Sequence, residues 1–240
     1  MTALWNEVQG AVPLILHGNP TLVGVIWFTL QVSAIATAGA VVIGLPIGLT
    51  LGLGRFRGRG ALQVLANASL GLPPVLIGLA LFLASMPKAP LGFLHLQATR
   101  QGVFIAQTIL ALPYVVAVSA AAVQGLPPAL LDQARALGAR RRQVYALALR
   151  EAKVGVMASV IAALGATLAE VGAIVVIGGN IYGYNQTLAS AALFEANGAH
   201  YQDAVAVGMV LIVLILILMG VVSVLQLWGN GIPLRFRSAT

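Results

Sequence analysis

Five apolar stretches, each long enough to cross a bilayer, leave this chain few folds to choose from. A helix needs about 20 apolar residues to cross the hydrocarbon core. Runs of that length lie within Leu22–Leu53, Ala61–Met86, Gly102–Gln124, Val154–Ile177 and Ala204–Trp228. Only 8% of the residues are charged, against roughly 25% in a soluble domain, so there is too little polar surface to face water all round. The expected fold class is an all-α polytopic membrane protein with about five transmembrane helices. The first stretch is longer than it needs to be. Pro46 and the series Gly44, Gly48, Gly52 predict a kink or an extension beyond the lipid, and the glycines offer a close helix contact, within the chain or between two copies.

Charge position sets the expected orientation, because Lys and Arg stay on the cytoplasmic side. With the N-terminus outside and the C-terminus inside, the cytoplasmic segments hold Arg55, Arg57, Arg59, six basic residues of a central loop, Arg235 and Arg237. Only Lys88 and Arg100 then lie outside. The net charge of +7 is thereby assigned to topology, and no nucleic-acid partner is expected. Cysteine is absent, which excludes disulfides and thiolate metal sites. No signal-peptide pattern opens the chain, so the first span is expected to serve as the targeting signal. Residues 1–20, with Trp5, Val8, Val12 and Ile15 near helical spacing around Pro13, predict an external or interfacial segment. The membrane domain is expected over 21–229, and 230–240 form a short cytoplasmic tail. An external loop over 178–203 begins with the turn-rich GGNIYGYN and continues into an apolar stretch, Thr187–Ala196, too short to span.

The loop over 126–153 is the one strongly charged island. Leu126-Pro127-Pro128 ends the third span, since proline removes a backbone donor. A helix can restart at Pro128, where the missing N–H costs nothing. Ala129 to Leu137 are good helix formers, and Gly138 suits a helix C-terminus. Arg140, Arg141 and Arg142 follow, and a second helical run starts at Val144. Two short helices joined at a glycine should therefore project from the membrane. A solvated hairpin whose arginines only enforce topology is the alternative.

These residues resemble the permease subunits of ATP-binding-cassette importers, whose cytoplasmic loop carries E-A-A, three residues, then Gly. Asp132-Gln133-Ala134 followed by Gly138 is similar to that pattern. Where the family continues with Ile-x-Leu-Pro, this chain has Ala148, Leu149, Arg150 and Glu151 and so departs from it. The resemblance implies a type I importer-like permease whose short helix docks on a separate ATPase, with Asp132, Gln133, Ala134, Leu137, Gly138 and Ala139 as the coupling residues. It also implies that the chain itself holds no cofactor, with ATP and Mg bound by the partner. No G-x-x-x-x-G-K-[ST] phosphate loop occurs in the sequence, and no catalytic constellation emerges, so no enzyme chemistry is expected here.

Glu170 is the one ionisable residue well inside an apolar stretch, and such residues are functional candidates by default. Small neighbours at Gly165, Ala166, Ala169, Gly172 and Ala173 predict that it faces protein. It serves either as a polar clamp between helices or directly at a gate. Around it, A-E-V-G-A followed by G-G-N-I resembles the G-E-F-G-A … G-N pattern of permeases for tetrahedral oxyanions. Leu72-Pro73-Pro74-Val75 with Gly78 resembles their L-P-P-V-x-x-G. The five-span layout, Asn180–Gly183 and the Glu195–Gly198 region look most like the tungstate branch. That resemblance implies import of tungstate, or alternatively molybdate or sulfate. It further implies a homodimer in the bacterial cytoplasmic (inner) membrane, two ATPase subunits and an external substrate-binding protein. Leu72, Pro73, Pro74, Val75, Thr167, Glu170 and Gly172 are the expected pathway and gate. The proline pair should break the second span there, freeing carbonyls that must face protein or water. Ser69, Asn67 and Thr108 could line a passage or simply bond within their own helices. His17, His95 and His200 lie far apart in sequence and lack the two-ligand helical spacing of a metal site; each reads as an interfacial histidine, and no metal is expected. A stand-alone ion-coupled carrier or channel, or a non-transporting scaffold, are the competing functions. The first would favour internal repeats and several buried charges, neither of which is evident.

Overall fold

The computed structural model describes residues 20–229. The expectations for the N-terminal segment, His17, Arg235 and Arg237 lie outside them. Ten α-helices and one short 3₁₀ turn make up the described chain, and no strand occurs among these residues. The helices are α1 Pro20–Leu53, α2 Arg59–Ser69, α3 Pro74–Ala84, α4 Arg100–Gln124, α5 Pro128–Ala136, α6 Arg141–Glu151, α7 Lys153–Ala169, α8 Gly172–Gly178, α9 Leu188–Asn197 and α10 Tyr201–Gly229. Three are long and apolar enough to cross a membrane by themselves: Thr21–Leu53, Arg100–Gln124 and Tyr201–Gln226. Two bent pairs, α2 with α3 and α6 with α7, raise the number of candidate spans to five.

Two expected spans are not continuous rods. The second is broken into α2 and α3, which meet at 103°. Each has 11 residues, or about 16 Å of helix, half the hydrocarbon thickness. Pro73 and Pro74 cause the break: Pro73 is extended (φ −61°, ψ 123°) and Pro74 opens α3, where a missing N–H is harmless. In the fourth stretch the helix stops at Ala169 and restarts at Gly172. Glu170, expected inside a span, therefore lies in an extended residue between two helices (φ −81°, ψ 135°). Neither residue at this break is a proline, and its cause is tertiary packing, described below.

The core runs along a seam between α1 and α4. Gly44 faces Val115, and a Cβ on Gly48 would overlap Ser119 Oγ and lie 2.9 Å from the Val116 carbonyl oxygen. On Gly52 a Cβ would come within 2.7 Å of Val123. The three glycines thus serve a contact within this chain, where their missing side chains let two backbones approach. Layers of buried residues stack along the seam: Phe28, Val32, Val103 and Ile174 at one level, then Ala40, Ala111, Val115 and Ala163. Ser119 and Thr108 return their hydroxyls to their own helix, to the Val115 and Phe104 carbonyls, which satisfies them without water.

The two ends of α1 carry different structures. Near its start, Val25 packs on Leu188 and Ala191 of α9, and Thr29 Oγ1 accepts the Leu188 N–H at 2.9 Å. Near its end, Leu49 packs with Val123, Leu131, Val144 and Ala148, which anchors α5 and α6. Val25 and Leu49 are 24 residues apart on one helix, roughly 36 Å, so the α9 turn and the α5–α6 hairpin occupy opposite ends of the bundle. Arg59 closes the α1 C-terminus by donating to the Leu51 and Gly52 carbonyls at 2.6 and 3.3 Å, a cation at the negative end of a helix dipole. The outermost helix, α10, buries only Ala206 among its described side chains.

Gly48→Ala should destabilise the purified protein by about 1–3 kcal/mol through overpacking of the seam. Gly24→Ala, where nothing lies within 4 Å of the added carbon, should leave thermal unfolding unchanged or raise it. Melting both variants in detergent micelles checks the contrast, and equal melting points would contradict the packing account.

Candidate translocation gate and coupling helix

The two breaks meet. A Cβ on Gly172 would strike the Val75 side chain, and one on Gly78 would come within 2.7 Å of the Ala173 Cα. The half-helices α3 and α8 therefore interlock through glycine on each side, and the two sequence motifs 72–78 and 169–173 form one structure. Ala173 and Ile177 of α8 share a buried cluster with Leu81 of α3 and with Leu96 and Ala106. An uninterrupted α7 would carry residues 172–178 onward along its own axis. The tight fit against α3 is what holds them in a separate helix.

A broken helix leaves backbone groups without partners, and lipid offers none. Glu170 supplies one replacement: its Oε1 accepts the Ala173 N–H at 3.0 Å, so the carboxylate caps α8. The contact is local, from a residue three positions before the N–H it accepts. At the other end of α8, Asn185 is fully buried and does two jobs. Its Nδ2 donates to the Gly178 carbonyl at 2.5 Å, and its Oδ1 accepts the Ile181 N–H at 2.7 Å. The Ala98 N–H also donates to the Ile177 carbonyl, at 2.8 Å. Gly179 and Gly183 take positive φ in the turn, as glycine readily does.

Of the other expected gate residues, Leu72, Pro73 and Val75 are exposed in the chain taken alone and Pro74 is half-buried. Thr167 does not join them: it is buried, and its hydroxyl donates to the Leu164 carbonyl at 2.9 Å. Ser69 likewise bonds the Leu65 carbonyl, while Asn67 is exposed. One polar residue escaped sequence reasoning. Gln107 of α4 is completely buried with neither end of its amide hydrogen-bonded, and nothing in the apolar pattern of its span marks it.

The second candidate element is the α5–α6 hairpin. Leu131 is the buried residue of α5, packed against Leu49, Val123 and Val144. The opposite side is open: Asp132, Gln133, Leu137 and Gly138 are exposed, Ala134 and Ala139 half-buried. Leu137 is 90% exposed, so a large apolar side chain is held at the tip of a rigid, anchored helix. Gly138 has φ +86° and ends the helix in the left-handed region that glycine favours. Asp132 and Arg135 pair at 2.7 Å on the exposed surface. The second helix begins at Arg141, earlier than expected, so Arg141 and Arg142 stand on its first turn. Cations there oppose the helix dipole, and helix stability does not explain them. Because Glu151 stands where the family pattern has proline, α6 runs through Glu151 and turns by 71° into α7.

Glu170→Ala should lower stability by about 1 kcal/mol through loss of the cap. Glu170→Gln, which keeps an acceptor oxygen, should unfold at the wild-type temperature. Thermal unfolding of the two variants separates a capping role from one that needs the negative charge.

The sequence matches the family of binding-protein-dependent transport system inner membrane components over residues 44–227. It is 34% identical over 224 residues to a probable anion ABC transporter permease protein of Haloferax volcanii, covering 91% of this chain and 92% of that one. It is 27% identical over 218 residues to the tungstate uptake system permease protein TupB of Peptoclostridium acidaminophilum (91% and 96% covered). A molybdenum transport system permease, ModB of Azotobacter vinelandii, is 28% identical over 193 residues (76% and 85%). In fold, the chain resembles the inward-facing MetNI methionine ABC transporter, with a TM-score of 0.65 at 18% identity, covering 87% of this chain and 95% of that chain. The chain belongs to the family of binding-protein-dependent transport system inner membrane components: it is an ABC importer permease.

Proposed function

We propose that the chain is the membrane subunit of an ATP-driven oxyanion importer, with tungstate the favoured cargo and molybdate or sulfate the alternatives. The carrying observation is the α5 tip: Leu131 fixes the helix to the bundle while Leu137, beside the positive-φ Gly138, is left exposed. A helix built this way suits a docking role, because its apolar knob is left exposed by the described residues of its own chain. Asp132, Gln133, Ala134, Leu137, Gly138 and Ala139 would seat in a separate ATPase subunit, which would bind ATP and Mg. The N-terminus would lie outside and the α5–α6 hairpin inside, in keeping with the Arg clusters at 55–59 and 135–150.

In this scheme two copies of the chain face each other, two ATPases sit below and a binding protein delivers cargo above. Closure of the ATPases on ATP moves the two α5 helices together. Each hairpin is packed onto α1 and α4 through Leu49 and Val123, so that movement is carried along the glycine seam. The interlock of α3 and α8 at the far end of the path would then open or shut the gate at Leu72–Val75, with Glu170 and Gly172 as its fixed side. Tungstate is supported by likeness to the Asn180–Gly183 and Glu195–Gly198 stretches of that branch and by the TupB relative. The Haloferax relative, by its name, handles an anion.

Leu137→Glu should abolish cellular oxyanion uptake, and the ATPase should no longer co-purify, while membrane insertion stays normal. Leu137 touches so little of its own chain that the fold has no reason to suffer; full uptake by this variant would dismiss the docking role. For the cargo, vesicles reconstituted with permease, ATPase and binding protein should accumulate tungstate at concentrations where molybdate and sulfate do not. Preference for sulfate would overturn the tungstate assignment and leave the importer assignment in place.

A further inference from the structure

The turn between α9 and α10, at the bundle end opposite the α5–α6 hairpin, gathers three metal-ligating side chains. Glu195 lies in the last turns of α9, His200 just before α10 and Asp203 in its first turn. One ligand atom from each can be chosen so that all lie within 4.8 Å of one another. His200 Nδ1 stands 3.0 Å from Glu195 Oε2. The turn is built to bring them together. Ala199 is held at φ +61°, and the His200 N–H donates to the Glu195 carbonyl at 3.0 Å. A Cβ on Gly198 would lie 3.2 Å from His200 Nδ1, so the glycine leaves room for the ring. Asp203 suits the positive end of α10, but Glu195 sits near the negative end of α9, where a carboxylate is unfavourable without a cation.

A second observation comes from the interior. Glu195 and Asp203 line a cavity between α1, α9 and α10, together with Gln186 and Tyr182. Gln186 is 3% exposed, and its Nε2 has no hydrogen-bond partner. A buried amide donor without an acceptor is costly, and ligating carboxylates are characteristically held by such outer donors.

We propose that Glu195, His200 and Asp203 form a divalent transition-metal site, closed on its inner side by Gln186, which ties α9 to α10. One imidazole and two carboxylates are a donor set that suits Zn2+, with ligand distances of about 2.0–2.2 Å, and disfavours Mg2+, which takes oxygen ligands. Metal displaces the His200–Glu195 hydrogen bond and neutralises two carboxylates at the end where the proposed orientation has an anion arrive. The site does not depend on the identity of the cargo or on the docking of α5, and its failure would leave both standing.

The test is calorimetric titration of ZnCl2 into the full-length chain, purified in detergent and stripped with EDTA. The expected result is one Zn2+ per chain, lost in both His200→Ala and Asp203→Asn. Gln186→Leu should weaken it by about 10–100-fold, and a large excess of Mg2+ should not displace the ion. His200 and Asp203 are exposed, so both variants should elute and melt as the parent does, and Asp203→Asn decides the matter if His200→Ala aggregates. No Zn2+ binding by the parent chain, undiminished binding in the variants, or displacement by Mg2+ would each overturn the site.

Discussion

A helix interrupted inside a bilayer must find partners for its freed backbone groups within the protein, because lipid supplies none. Much of this structure answers that demand. Two interrupted stretches lie against each other, Gly78 on Ala173 and Gly172 on Val75, so close that neither glycine could carry a side chain. Glu170 then takes up the Ala173 N–H and Asn185 the Gly178 carbonyl. The break at Pro73-Pro74 and the break at Glu170–Val171 are therefore one feature, each half holding the other in its bent form.

From that junction the structure reads outward along the α1–α4 seam. The seam is made of small residues, so it is stiff: Gly44, Gly48 and Gly52 bring the two backbones together where larger side chains would leave play. Separate buried layers at Val32, Ala40 and Leu49 line the seam between the α9 end and the α5–α6 end. Packed interiors do not deform smoothly, so the two ends of this seam are held in fixed relation.

Much of this was visible in the sequence, for reasons that can be named. Long apolar runs give spans because the bilayer has a fixed thickness. The proline pair gives the first break because proline lacks an N–H. Pro128 and Gly138 bracket α5 because each suits its end of a helix. The second break was less visible: Ala169-Glu170-Val171-Gly172 holds no proline, a lone glycine is tolerated in many helices, and the segment after it packs on residues about 95 positions earlier. For the same reason Glu170 was placed inside a helix when it caps one. The glycine ladder was legible as a contact but not as one within the chain. His200 meets Glu195 and Asp203 only across a tight turn, an arrangement that helical ligand spacing does not show.

One helix stands apart from this economy of contacts. From Tyr201 to Gln226, α10 has 26 residues, roughly 39 Å of rod, against a hydrocarbon core of about 30 Å. Leaning, or extension of its polar first turn beyond the hydrocarbon, takes up the excess. With Ala206 its only fully buried described side chain, little of its own protein dictates how far. Its packing against α9 and α7 is what the protein offers to set its angle. Because α9 packs against α10, any change in the angle of this helix bears directly on the turn that joins them, where Glu195, His200 and Asp203 converge.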